Sequence, residues 1–145
     1  MDKWYIGIDP GKSGGIAWVD AEGGVYDAVK MPATEADTDE LFVSLEAFEY
    51  KYAVIEHVHS MPGQGVASSF KFGMNYGMLR AFLIAHRIPF VKVTPSVWQR
   101  TLKCLSKGDK NVTKAKAQER FPDMEKITHA IADALLIAEY ARGLK

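Results

Sequence analysis

Four residues from three separate segments could do chemistry together: Asp9, Glu56, His129 and Asp133. Asp9 ends the apolar run Trp4-Tyr5-Ile6-Gly7-Ile8 and precedes the turn Pro10-Gly11. Glu56 ends a second apolar run, Tyr52-Ala53-Val54-Ile55. Each acid stands at the carboxyl end of a predicted strand, where its charge can reach solvent or a cation. His129 and Asp133 are four apart, hence on one face of a predicted helix, amid Ala130, Ile131, Ala132, Ala134, Leu135 and Leu136. A carboxylate in so apolar a stretch is costly unless paired or bound to a cation. Acids brought from distant segments to the edges of hydrophobic elements can build an oxygen-rich divalent-metal site. Two Mg²⁺ or Mn²⁺ ions held ~3.5–4 Å apart would clamp the attacking water and the leaving oxygen of a phosphodiester hydrolysis. Asp9 would bridge the ions, Glu56 would bind one and Asp133 the other. His129 would either bind Mn²⁺ or orient or protonate a reacting oxygen.

Each residue also has a plainer reading. Asp-Pro-Gly initiates turns in many proteins, and an acid often ends an exposed strand. Gly11-Lys12-Ser13 suggests a nucleotide loop, but that motif needs a glycine at position 6, which is Ile6. What raises the acids above their plain readings is that strands 3–8 and 52–56 could be sheet neighbours.

The elements that must position these residues follow from the pattern. Strands are predicted over 3–8, 15–20 and 24–30, joined by the turn Pro10–Gly14 and a hairpin at Ala21-Glu22-Gly23-Gly24, as an antiparallel meander. An acidic surface helix over 36–49, a buried strand over 52–56, a long helix over 67–87 and a strand over 89–93 follow. Thr94-Pro95-Ser96 signals a helix start. The last helices fall at 110–120 and 127–142, separated by Phe121-Pro122-Asp123. Three antiparallel strands and then strand–helix alternation imply an α/β fold, a mixed five-stranded sheet with helices on its faces. His86 is expected to be a surface cap. The apolar stretch Met61, Phe70, Phe72, Met74, Tyr76 and Met78 is expected to be core or a subunit interface rather than a base-stacking surface, with Gly73 and Gly77 admitting a close partner.

A chain of 145 residues suits one domain with one core, and 48% apolar composition is that of a folded protein. No apolar run has the length of a membrane span, and no signal peptide is expected because the first residues lead into a strand. The single cysteine, Cys104, fits a reducing compartment. Net charge is zero but unevenly spread. Residues 20–56 hold ten acids against two bases, whereas 100–120 hold seven bases against two acids. Such polarity can turn a basic face toward phosphates, though a solvated Lys-rich helix would look the same. The candidate DNA contacts are Lys12, His59, Lys71, Lys107, Lys110 and Lys114.

With these motifs the chain resembles the RuvC-like Holliday-junction resolvases of the RNase H and retroviral-integrase superfamily, over nearly its whole length. Gly7-Ile8-Asp9-Pro10-Gly11, Val54-Ile55-Glu56 and Ala132-Asp133-Ala134-Leu135 match the three acidic motifs. Met61-Pro62-Gly63-Gln64-Gly65, Tyr76-Gly77 and Val93-Thr94-Pro95-Ser96-Val97-Trp98 are similar to the short phage and prophage members. The resemblance implies an RNase H-like fold over residues 1–145 and a homodimer acting on four-way junctions. It implies Mg²⁺ or Mn²⁺ on the acids, 5′-phosphate products, and action in the cytoplasm at the nucleoid, including the host cytoplasm for phage-encoded members. Two positions depart. Bacterial members often carry a ligand three residues before the last Asp, where this chain has Ala130, with His129 one residue earlier. An aromatic wedge three residues after the second acid is replaced by His59.

The same residues admit other functions. An RNase H-fold nuclease for flaps, other branched DNA or RNA–DNA hybrids would need the same acids. A non-catalytic DNA-binding module would have no need of all three. A sugar-kinase-like or chaperone-like ATPase also begins with strand-Asp-Gly, but needs two such domains and a second phosphate loop.

Overall fold

The computed structural model of the chain describes residues 2–60 and 62–145. Strands β1 (Lys3–Asp9), β2 (Gly15–Asp20) and β3 (Val25–Lys30) form the meander. Helix α1 (Glu35–Leu45) leads to β4 (Tyr50–Glu56), helix α2 (Val66–Ala85) to β5 (Phe90–Val93). Helices α3 (Pro95–Thr101), α4 (Lys110–Arg120) and α5 (His129–Leu144) complete the chain. The sheet order is β3-β2-β1-β4-β5. β1 pairs antiparallel with β2 and parallel with β4, and β4 pairs parallel with β5. This is the mixed five-stranded sheet expected from the sequence.

Alternation along the strands divides the core between the two faces. Tyr5, Ala17, Val19, Tyr52 and Val54 face α5, whose Ala134, Leu135 and Ala138 are fully buried. Ile6, Ile8, Ile16, Ala53 and Ile55 face Phe42 and Leu45 of α1 and Leu79 and Leu83 of α2. Asp9 has the parity of Tyr5 and Gly7, and Glu56 that of Tyr52 and Val54, so both acids sit on the α5 side.

Most boundaries lie within one or two residues of the pattern, and the end of α1 departs furthest. α1 stops at Leu45 rather than near 49, and β4 begins at Tyr50. The early stop frees Phe48 to stack on Trp4, with ring centroids 4.5 Å apart, a contact that a continued helix does not provide. His86 is more than a surface cap. It ends α2, but its ring also bridges two acids of the acidic helix region, Asp39 at 2.8 Å and Glu46 at 2.7 Å. Among the described residues no helix is long and apolar enough to cross a membrane.

Candidate active site

The parallel pairing of β1 with β4, in register at Ile8 and Ile55, brings Asp9 and Glu56 to the same carboxyl edge of the sheet. Asp133 arrives from α5, and the reason is steric. A Cβ on Gly7 would stand 2.2 Å from both the Ala134 carbonyl oxygen and the Ala138 nitrogen. One on Gly15 would stand 2.5 Å from the Ala130 carbonyl oxygen. Bare glycines on the sheet and alanines at 130, 134 and 138 let α5 lie with its backbone on β1 and β2. Its first turns therefore end beside Asp9.

All three acids are drawn out of water. Asp9 keeps 6% of its surface exposed and Asp133 keeps 4%. Burial, then the carboxylates of Glu56 and Asp133, push the Asp9 carboxyl well above its usual range, with Lys110 opposing. Burial also raises Glu56, whose Oε2 accepts a hydrogen bond from the Trp98 indole Nε1 at 2.8 Å. Trp98 is wholly buried in α3, directly after β5, so it fixes Glu56 from below the sheet edge.

Lys110 Nζ donates to Asp133 Oδ2 at 3.0 Å. Burial disfavours its ammonium, but Asp133, Asp9 and Glu56 outweigh this and raise it. Its place at the start of α4 is set by Asp109, whose side chain caps the helix by accepting from the Asn111 N–H. The other oxygen of Asp133, Oδ1, is buried and has no hydrogen-bond partner among the described residues. The second buried acid of α5 makes an instructive contrast: Glu139 is paired with both Arg120 and Arg142. Glu139 is therefore satisfied structurally, while Asp133 is left with an acceptor to spare.

That spare oxygen, and a donor set made of hard carboxylate oxygens, fit Mg²⁺ or Mn²⁺. Among the described residues no three potential ligand side chains already converge on one point; Lys110 serves as the counter-ion of the cluster. Glu56 and Asp133 border a cleft of about 330 Å³, lined also by Gln99, Lys107 and Lys110.

The remaining sequence candidates are dispersed. His129 is the first residue of α5, exposed, and lines a different depression of about 560 Å³ together with Lys114. Lys107 borders the acidic cleft. Lys12 is exposed on the turn after Asp9, His59 follows β4, and Lys71 lies on α2. Met61, in the Met61–Gly65 motif, lies outside the described residues. Lys110, a candidate DNA contact, has its ammonium on Asp133. Sequence reasoning missed Trp98 as partner of Glu56, although a Trp closely following the strand beside β4 was a usable signal.

Comparison with solved structures decides the fold. RuvC of Thermus thermophilus superposes with a TM-score of 0.69 at 18% identity, over 94% of this chain and 92% of that one. The same enzyme in complex with a Holliday junction substrate gives 0.69 at 16% identity, over 95% and 91%. The yeast mitochondrial Holliday junction resolvase Ydc2 gives 0.53 at 17% identity, over 94% and 78%. The chain has the RuvC-like fold. No family model and no curated protein sequence matches it. The likeness to these structures is one of backbone arrangement, at 16 to 18% identity.

Proposed function

We propose that this chain, as a single nuclease domain over residues 1–145, is a metal-dependent, structure-selective endodeoxyribonuclease that resolves four-way DNA junctions by paired phosphodiester hydrolysis. The observation that carries the reading is the nearness of Glu56, on the neighbouring strand, and of Asp133, on α5, to the buried Asp9, close enough for their charges to raise its pKa, with Asp133 Oδ1 buried and without a hydrogen-bond partner among the described residues. A neighbour of the same fold was solved with a Holliday junction substrate, which supports branched DNA as the partner.

Asp9, Glu56 and Asp133 would hold the divalent ions, which when bound activate the attacking water and stabilise charge on the leaving oxygen. His129, one turn before Asp133, is retained as a further ligand or proton carrier. Trp98 holds Glu56 in one rotamer by its N–H. Burial of the acids in a low-dielectric pocket strengthens their grip on a cation. Lys107, which lines the cleft, and Lys12, His59, Lys71 and Lys114 beyond it, would meet DNA phosphates; Lys110, already paired with Asp133, would add a smaller share.

Paired cleavage of two equivalent strands needs two sites, hence a two-fold homodimer. The outer side of α2 suits the contact. Val66, Phe70 and Met74, four apart, are 89%, 68% and 52% exposed. Added Cβ atoms on Gly73 and Gly77 would meet nothing within 4 Å. This apolar stripe is not used to cover the chain's own sheet.

The test is incubation of the protein with synthetic four-way junctions, flaps, RNA–DNA hybrids and linear duplex, with Mg²⁺ or Mn²⁺. Paired symmetric nicks in the junction are expected, abolished by Asp9→Asn with junction binding nearly intact. Turnover by Asp9→Asn would refute the site. Cutting of flaps or hybrids alone would move the substrate within the same fold.

A further inference from the structure

Asp9 sits where its neighbours repel it, beside two other carboxylates and out of water. Its backbone ends β1, paired with Gly15 of β2, and beyond that residue the chain is held from elsewhere. The turn that follows it shows how. The Gly11 N–H donates to Asn75 Oδ1 at 2.7 Å, across 64 residues of sequence. Gly11 has φ +107°, and a Cβ there would stand 2.9 Å from Phe72 Cε1. Gly14 N–H then donates to the Gly11 carbonyl at 3.0 Å, and Met31 N–H to the Gly14 carbonyl at 2.9 Å. The turn is thus tied at one end to α2 and at the other to the exit of β3.

On α2, Phe72, Asn75 and Leu79 face inward, while Phe70 and Met74 face out. A polar side chain on the inward side needs a partner, and the partner chosen is the backbone two residues beyond Asp9. Phe72 covers the same glycine from the next position on that side. We propose that Asn75 is a positioning residue: its acceptor, with Phe72 as a stop, fixes the Asp9 turn in the geometry that metal loading requires. The inference rests on the nuclease reading of the acids. It adds that the helix bearing the exposed apolar stripe also holds the catalytic turn.

Asn75→Leu keeps the volume and removes the acceptor; Asn75→Asp restores the acceptor. Three quantities are read: Mn²⁺ affinity of the DNA-free protein, junction affinity, and single-turnover cleavage with junction saturating. For Asn75→Leu, Mn²⁺ binding should weaken about fivefold and cleavage slow about 20-fold, with junction affinity within about twofold. Asn75→Asp should recover cleavage to within about threefold of the parent. If Asn75→Leu does not fold, Asn75→Ala takes its place with the same expectations. Parent-like Mn²⁺ binding and cleavage in the acceptor-less variant would overturn the inference, as would an Asp variant no faster than Leu. A parent that binds Mn²⁺ but leaves every junction whole sinks the nuclease reading alone, and the Mn²⁺ titration then decides on Asn75. A parent that does neither overturns both.

Discussion

The two faces of the sheet are built on opposite plans. On the α5 face, glycine and alanine are used to bring backbones into contact, and charges are buried there: Asp9, Asp133 and Glu139. On the α1–α2 face, large residues such as Ile8, Ile55, Phe42 and Leu83 fill the gap, and the glycines of α2 point into open space. Close packing fixes the depth of α5, and with it Asp133, because a Cβ on Gly7 or Gly15 would collide with the helix backbone. Bulky packing gives stability and tolerates exchange, and it leaves the outer side of α2 free to meet something else. Precision is concentrated on the side that carries the acids.

The sharpest way to break the comparison is to add the same methyl group on each face. Gly7→Ala places a carbon 2.2 Å from α5 backbone atoms that cannot rotate away. It should cost roughly 3 kcal/mol or more, the upper end of overpacking, seen as a large fall in Tm. Gly77→Ala meets nothing within 4 Å and replaces a helix glycine, so the monomer should gain up to about 1 kcal/mol. Equal effects would mean that α5 does not lie on β1 as described.

Next comes the charge on the α5 face. Lys107→Ala with Lys114→Ala should flatten the slope of log affinity against log salt by about 1.8, one counterion per lysine. Adding Lys110→Ala should change it by less than another ~0.9, because that ammonium already has Asp133 as counter-ion. A full third step in titrations at several salt concentrations would mean that Lys110 leaves Asp133 for phosphate.

A smaller effect should come from Asp9. Its folded pKa is raised by burial and by Glu56 and Asp133. For a carboxyl raised in the folded state, stability is highest below the unfolded pKa of about 3.9 and falls as pH rises through the folded value. At neutral pH and without metal, Asp9→Asn should therefore stabilise the chain, by roughly 1–2 kcal/mol or several degrees in Tm. Mg²⁺ should raise the Tm of the parent and much less that of the variant. A less stable Asp9→Asn in metal-free buffer would show that the site does not store this repulsion.

Much of the α5 face was legible because it is written in local pattern. Apolar runs ended by Asp9 and Glu56 gave two strands, and their expected pairing, seen between β1 and β4, brought the two acids together. Other bounds, β2 at Gly15–Asp20 and α4 at Lys110–Arg120, coincide with the predicted ones. What could not be read is pairing between distant segments: Lys110 with Asp133, Trp98 with Glu56, Asn75 with Gly11. These are single polar contacts across 23 to 64 residues, and nothing in the local periodicity marks them. His129 and Asp133 share a helix face but not an environment. Four-residue spacing aligns two side chains around the axis, but one is in the exposed first turn and the other is buried a turn deeper.

The least effect belongs to the opposite face, where the charge sits at the surface edge. His86 closes α2 onto α1 through Asp39 and Glu46, against the rings of Phe42 and Phe82 at 5.8 and 5.9 Å. Burial works against its charged form, but the two carboxylate hydrogen bonds outweigh this and raise its pKa. For a histidine raised in the folded state, the added stability is fully present below the unfolded value of about 6.5. It is lost as pH rises through the folded value. Both carboxylates are half-exposed, 52% and 51%, so solvent screening limits the contribution to roughly 1 kcal/mol. Urea unfolding at pH 6 and at pH 9 should show the parent losing about that much more stability than His86→Gln over the same interval. Asp9 is common to both proteins and cancels in the difference. An identical pH dependence in the two would mean that the bridge between the helices contributes nothing in solution, and that the α1–α2 face is held by its large apolar side chains alone.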